Sequence, residues 1–168
     1  MMIDRQGTVR PYFGRCVVDR SILKFQCTAM TLEPHEERTT IATLRRVRQD
    51  LLEIHYHDGC VLSVEHLAEV QEMRRRMMGS TSYGTLTIIP EDVDLHMDAM
   101  RTDHLGSDRA LGRVIATAVV AKASLIERLI HVYFKYYPQL QRILVTDNEA
   151  EARAWITTQL EVSSETGS

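Results

Sequence analysis

Apolar and polar positions alternate with two different periods along this chain, and the switches between them mark its elements. In residues 51–57, Leu52, Ile54 and Tyr56 alternate with Glu53, His55 and His57, the period of a strand with one buried face. Residues 39–48 carry a looser strand pattern, with Ile41, Leu44 and Val47 among Thr and Arg. The two runs lie close in sequence and predict an antiparallel hairpin at one side of a sheet. Asp58-Gly59 then reads as a tight turn. From Ser63 the period lengthens to that of a helix, with Val64, Leu67, Ala68, Val70, Met73 and Met77 as its apolar stripe. Ser63 is its N-cap, Glu65 suits the first turn, Gly79 ends it, and Arg74, Arg75 and Arg76 fall where cations suit the helix dipole.

The second half repeats strand then helix. Residues 85–89 and 114–120 are short apolar runs without polar alternation, as expected of parallel strands buried on both faces. Between them lie an acidic loop, a helical stretch at 97–104 ended by Gly106, and a short helix capped by Ser107. Ser124-Leu125-Ile126-Glu127 reads as a capping box. It opens the most amphipathic helix, with Ile126, Leu129, Ile130, Tyr133, Phe134 and Tyr137 on one face and Pro138 as its stop. Residues 142–145 form a last strand. Asn148 and Glu151 suggest a second capping box, for a helix docking through Ala150, Ala154, Trp155 and Leu160. The expected architecture is α/β: one mixed, mainly parallel sheet of about five strands with helices packed on it. Residues 1–38 form an extension with short apolar runs at 15–18 and 22–27, and residues 161–168 a polar tail.

Composition narrows the function classes. The 168 residues suffice for one domain with a real core, and a formal charge of −3 gives no reason to expect nucleic acid. Cys16, Cys27 and Cys60 are odd in number and form no C-x-x-C pair, which argues against a disulfide framework and suits a reducing cytoplasm. The longest apolar run, 114–121, is too short to span a membrane, and the first residues lack a signal pattern.

The element order resembles that of the STAS-like family of bacterial proteins, relatives of the anti-sigma-factor antagonists. The resemblance covers residues 39–160. It is carried by the Ser124 helix start, the run Tyr133-Phe134-Lys135-Tyr136-Tyr137-Pro138 and the closing segment from Thr146 to Trp155. Lipid-binding CRAL-TRIO domains share a similar order. The resemblance implies a regulatory scaffold for protein contacts. In the antagonists a phosphorylatable serine follows the central strand; here the loop 90–96 holds no Ser or Thr, so that switch is absent. Glu91, Asp92 and Asp94 would instead present fixed negative charge there.

Candidate chemistry is sparse. His55 and His57 share a strand face with Glu53, the beginning of a metal site or a solvated surface. No nucleotide-binding or nucleophile-elbow motif occurs. Ligands of parallel sheets gather beyond the carboxyl ends of strands, where Lys122 and the helix amides after Ser124 could hold an anion. Met73, Met77, Met78, Met97 and Met100 lie on two successive helices and could line an apolar site. The reading is a non-enzymatic interaction module without cofactor or metal, docking a protein partner through Glu91, Asp92, Asp94, His96, Met97 and Met100. The alternative is a carrier of a lipid or other small apolar ligand beneath the Met-bearing helices. An enzyme is least supported, and a homodimer stays open.

Overall fold

The strand β2 (Ala42–Arg48) turns through Gln49 and Asp50 into β3 (Leu51–Tyr56), and the two pair antiparallel with Leu44 opposite Ile54. This is the hairpin that the period-2 runs predict. The computed structural model describes residues 35–138 and 142–166; the apolar runs at 15–18 and 22–27, with Cys16 and Cys27, lie outside the described residues. A further strand, β1 (His35–Arg38), adds antiparallel to the outer side of β2. Its sequence, His-Glu-Glu-Arg, has no apolar position, so no pattern could mark it. Charged side chains suit a sheet edge, and Glu36 takes a 2.7 Å ion pair from Arg45 of β2.

From β3 onward the pairing is parallel. β5 (Tyr83–Ile89) joins β3, β7 (Val114–Ala121) joins β5, and β8 (Arg142–Thr146) joins β7. Among the described residues the main sheet has six strands in the order β1-β2-β3-β5-β7-β8, one more than expected. The short strands β4 (Val61–Leu62) and β6 (Asp94–Leu95) pair parallel in a ladder of their own.

Every parallel step moves in the same direction across the sheet. Right-handed crossovers therefore place the intervening helices on one face. These are α1 (Val64–Met78), α2 (Met97–Arg101), α3 (Gly106–Leu111) and α4 (Ser124–Tyr136). The final helix α5 (Glu149–Thr166) covers the opposite face, over β5, β7 and β8. Two cores result. Leu44, Leu52 and Ile54 pack with Val70, Met77 and Met78 on the α1 side. Leu51, Leu86, Ala118 and Val120 pack with Ala152, Ile156 and Leu160 under α5.

This two-sided cover corrects several expectations. Strand β3 is not half-solvated: Glu53 is only 7% exposed because α5 lies over its face. The α5 seam is Ala152, Ile156 and Leu160, four residues apart, while Ala150 and Ala154 face outward. The helix also runs on to Thr166, into the segment read as a polar tail. Ser63 caps α1 as expected, its Oγ accepting from the His66 amide at 3.3 Å. The Ser124 capping box does not form. The backbone turns helical one residue earlier, Ala123 is the N-cap, and the Glu127 amide donates to the Ala123 carbonyl. At α5, Asn148 Oδ1 accepts from the Glu151 amide at 3.2 Å, but the Glu151 carboxylate turns back to Thr146 Oγ1 at 2.7 Å. Gly106 opens α3 instead of ending α2, which stops at Arg101, and Ser107 lies inside α3 with Leu105 as the N-cap.

The seating of α5 depends on Gly84. A Cβ there would meet Ile156 Cδ1 at 2.9 Å and Leu160 Cδ2 at 3.2 Å. Gly84→Ala should cost about 1–3 kcal/mol in urea unfolding, the range for overpacking. Adding Ile156→Val, which removes the nearest atom, should recover part of the loss. A neutral Gly84→Ala would mean that α5 does not press on β5 as described.

Candidate functional site

On the α1–α4 face the side chains do not close completely over the sheet. A mainly apolar cavity of about 150 Å³, partly open to solvent, remains between the strands and all four helices. Its floor follows the strand period: Ile54 and Tyr56 from β3, Thr85, Thr87 and Ile89 from β5, Thr117 and Val119 from β7. Its roof is Leu67, Gln71 and Arg74 of α1, Ala99 and Met100 of α2, Asp108 of α3, and Ile126, Ile130, Tyr133 and Phe134 of α4. The opening has a structural cause. Helices α2 and α3 are only 5 and 6 residues long, and α2 presents the small side chain of Ala99.

The polar groups of the cavity mostly hold its walls together. Thr85 Oγ1 donates to Thr117 Oγ1 at 3.0 Å across the central strands. Arg74, 2% exposed, pairs through Nη2 with the carboxylate of Asp108, 7% exposed, and joins α1 to α3. The Arg74 guanidinium also lies 5.9 Å from the centre of the Tyr83 ring, whose hydroxyl pKa is raised by burial. His104 Nε2 donates to the Ala99 carbonyl at 2.8 Å, and burial lowers the pKa of its ring, so the imidazole is neutral at pH 7. The His104 amide donates to the Tyr133 hydroxyl at 3.0 Å, and the Tyr137 hydroxyl donates to the Arg101 carbonyl at 2.5 Å. The aromatic run of α4 thus fastens it to the α2–α3 segment. Two buried polar atoms of the roof, Gln71 Oε1 and Arg74 Nε, have no hydrogen-bond partner.

Of the residues proposed from sequence as a partner- or ligand-binding surface, Met100 lines this cavity. Glu91, Asp92, Asp94, His96 and Met97 are exposed, with Asp94 held in β6 opposite Val61. Lys122 and Ser124 are exposed just beyond β7. The parallel strands run in one order without reversal, so no topological switch point gathers these loops into a crevice. Met77 and Met78 are buried core residues and Met73 packs against them. His55 Nε2 contacts Glu53 Oε2 at 2.9 Å while His57 Nε2 contacts Thr43 Oγ1 at 3.0 Å, so the two imidazoles are engaged separately. Among the described residues no three His, Cys, Asp or Glu side chains are grouped to hold a metal ion. Cys60 is a free buried thiol whose pKa is raised by burial.

The site residues missed by pattern reading had signals. Thr85 and Thr87 put two hydroxyls on one face of a strand otherwise buried on both sides, and Thr117 pairs in register with Thr85. Arg74 falls on the buried stripe between Val70 and Met77–Met78, although its place near the helix end suggested a dipole role.

The likeness of this chain to a solved protein is one of shape. No family model matches it, and none of the curated proteins matches it. A solved structure of an uncharacterized protein of the DUF3478 family with a SpoIIAA-like fold, from Shewanella loihica PV-4, is similar at 15% identity and a TM-score of 0.47, over 73% of this chain and 91% of that one. The α/β class of this chain rests on its own strand order and pairing. Among the described residues no helix is long and apolar enough to cross a membrane.

A second titratable cluster lies under α5. Glu53 is held at a pKa of about 2, first by its hydrogen bond with His55 and then by Arg153, whose Nη1 donates at 2.5 Å, against the opposing effect of burial. Because the folded-state pKa is depressed, this stabilisation is present above the ordinary carboxylate range and is lost as pH falls from about 4.5 toward about 2. Glu53→Gln should flatten the acid limb of a stability-against-pH curve in that window. An unchanged limb would mean that the pair contributes nothing to folding.

Proposed function

We propose that the chain is a non-catalytic binding module that takes a small ligand into the cavity between the sheet and α1–α4. The observation that carries this reading is the incompletely filled space in the larger core. Protein interiors are ordinarily packed to crystal-like density, and an unfilled volume forfeits contacts along its whole lining. Here the space persists under helices that are tied down by Arg74–Asp108 and by the hydroxyls of Tyr133 and Tyr137. Apolar walls with a few convergent polar groups are the usual make-up of a small-molecule site. The polar groups present are engaged in wall contacts more than in any nucleophile-and-base arrangement, which supports binding over catalysis.

The test is methyl NMR during titration with a panel of small apolar fragments. Binding at the cavity should move the methyls of Ile54, Val119, Ile126 and Ile130 together and leave Val132, on the outer side of α4, in place. Shifts confined to surface methyls, or none with any fragment, would remove the reading.

A second reading, a protein-docking module, is favoured by Met97, 59% exposed, which follows the exposed acidic residues Glu91, Asp92 and Asp94. A partner recovered with the wild-type chain should be lost with Glu91→Lys plus Asp94→Lys. Equal recovery would take that surface out of consideration.

A further inference from the structure

The roof of the cavity specifies more than apolarity. Gln71 and Arg74 are three residues apart on α1, so they share one face of the helix, and both line the space. Each carries a buried polar atom without a partner: the Gln71 Oε1 acceptor and the Arg74 Nε–H donor. A buried polar group left unmet costs free energy, and native structures meet such groups with water or with a bound polar group. A single hydroxyl donates one hydrogen bond and accepts another. It therefore has the capacity to serve an acceptor and a donor together, in either orientation of the Gln71 amide. An amide group on the ligand has the same two capacities.

The charge balance excludes an ion. Arg74 is neutralised by Asp108, and Arg75, 3.8 Å from Asp108 on its outer side, has its own partner in Glu72. His104 is held neutral by its burial. An anion or cation entering here would lose its hydration without a free countercharge. The enclosed volume favours a compact body over a long chain. A cavity of about 150 Å³ lined by Leu, Ile and Phe takes up benzene, and this one has that volume with an opening to solvent.

Resting on the ligand-binding reading above, we propose that the cavity selects a small neutral amphiphile: a compact aromatic or branched aliphatic body bearing one hydroxyl or amide, which bonds to Gln71 and Arg74. The class is that of simple phenols, cresols and indole-sized alcohols or amides. Fatty acids and phospholipids fall outside it.

Isothermal titration with four probes tests this: p-cresol, toluene, 4-methylbenzoate and decanoate, each against the full chain at neutral pH. The expected result is p-cresol about tenfold or more tighter than toluene, the worth of satisfying buried polar atoms. Both anions should bind more weakly than p-cresol. Gln71→Leu should bring p-cresol and toluene to within a few-fold of each other, and Gln71→Met serves if the leucine variant fails to fold. Toluene matching p-cresol in the wild type, or either anion binding tighter, overturns the inference and leaves the cavity reading standing. Failure of all four probes while other fragments still move the cavity methyls also overturns the inference alone. Failure of the probes together with unmoved methyls overturns both.

Discussion

Asp108→Ala should lower the free energy of unfolding by about 3–5 kcal/mol, the cost of stranding one member of a buried ion pair. Arg74 is almost wholly inaccessible and its partner nearly so, and without the carboxylate the guanidinium is left as an uncompensated buried charge. In a chain of this length the loss corresponds to a fall in Tm on the order of 10 °C. Replacing both partners with apolar residues, Arg74→Met with Asp108→Leu, should recover most of the loss, because no charge is then left buried. A single Asp108→Ala costing less than about 1 kcal/mol, as a surface pair would, would mean that α3 does not hold Arg74 in the folded protein. The pair also fixes how far α3 stands from α1, so the single variant should loosen the cavity roof.

Val119→Phe should abolish ligand uptake while the protein stays folded. Val119 is on the interior strand β7, is 5% exposed and lines the cavity floor. An added ring occupies the volume that the ligand would take, and filling a void commonly stabilises by about 0.5–2 kcal/mol when the new side chain fits. Thermal melting should therefore show an unchanged or higher Tm, and p-cresol should no longer raise it. Val132→Phe, on the 45% exposed side of α4, is the matched control and should keep the response. A Val119→Phe protein that still responds to p-cresol would place binding elsewhere on the molecule.

The hairpin of β2 and β3 and the α/β alternation beyond it were legible because burial imposes a period, and periods survive in sequence. Helix α1 was legible at both ends, since Ser63 and Gly79 are chemically specific. Strand β1 was not, because an edge held by backbone pairing and charge needs no apolar residue. The Ser124 capping box was misread because its residues fit equally well one position inside the helix, and only the backbone torsion of Ala123 decides. The cavity was legible only in part. Its helices and Met100 were in view, but a void depends on what side chains from at least seven elements fail to fill, and no single segment records that. The hydroxyls of Thr85 and Thr87 in a doubly covered strand, and an arginine on a buried stripe, were the local traces of it.

A crystal structure of the protein grown with p-cresol tests the central claim most directly. The ring should lie between Val119 and Ile130, with the hydroxyl within hydrogen-bond distance of Gln71 and Arg74. A structure in which α4 rests on the sheet and the cavity is closed, or one with the phenol bound only at the surface, would contradict it.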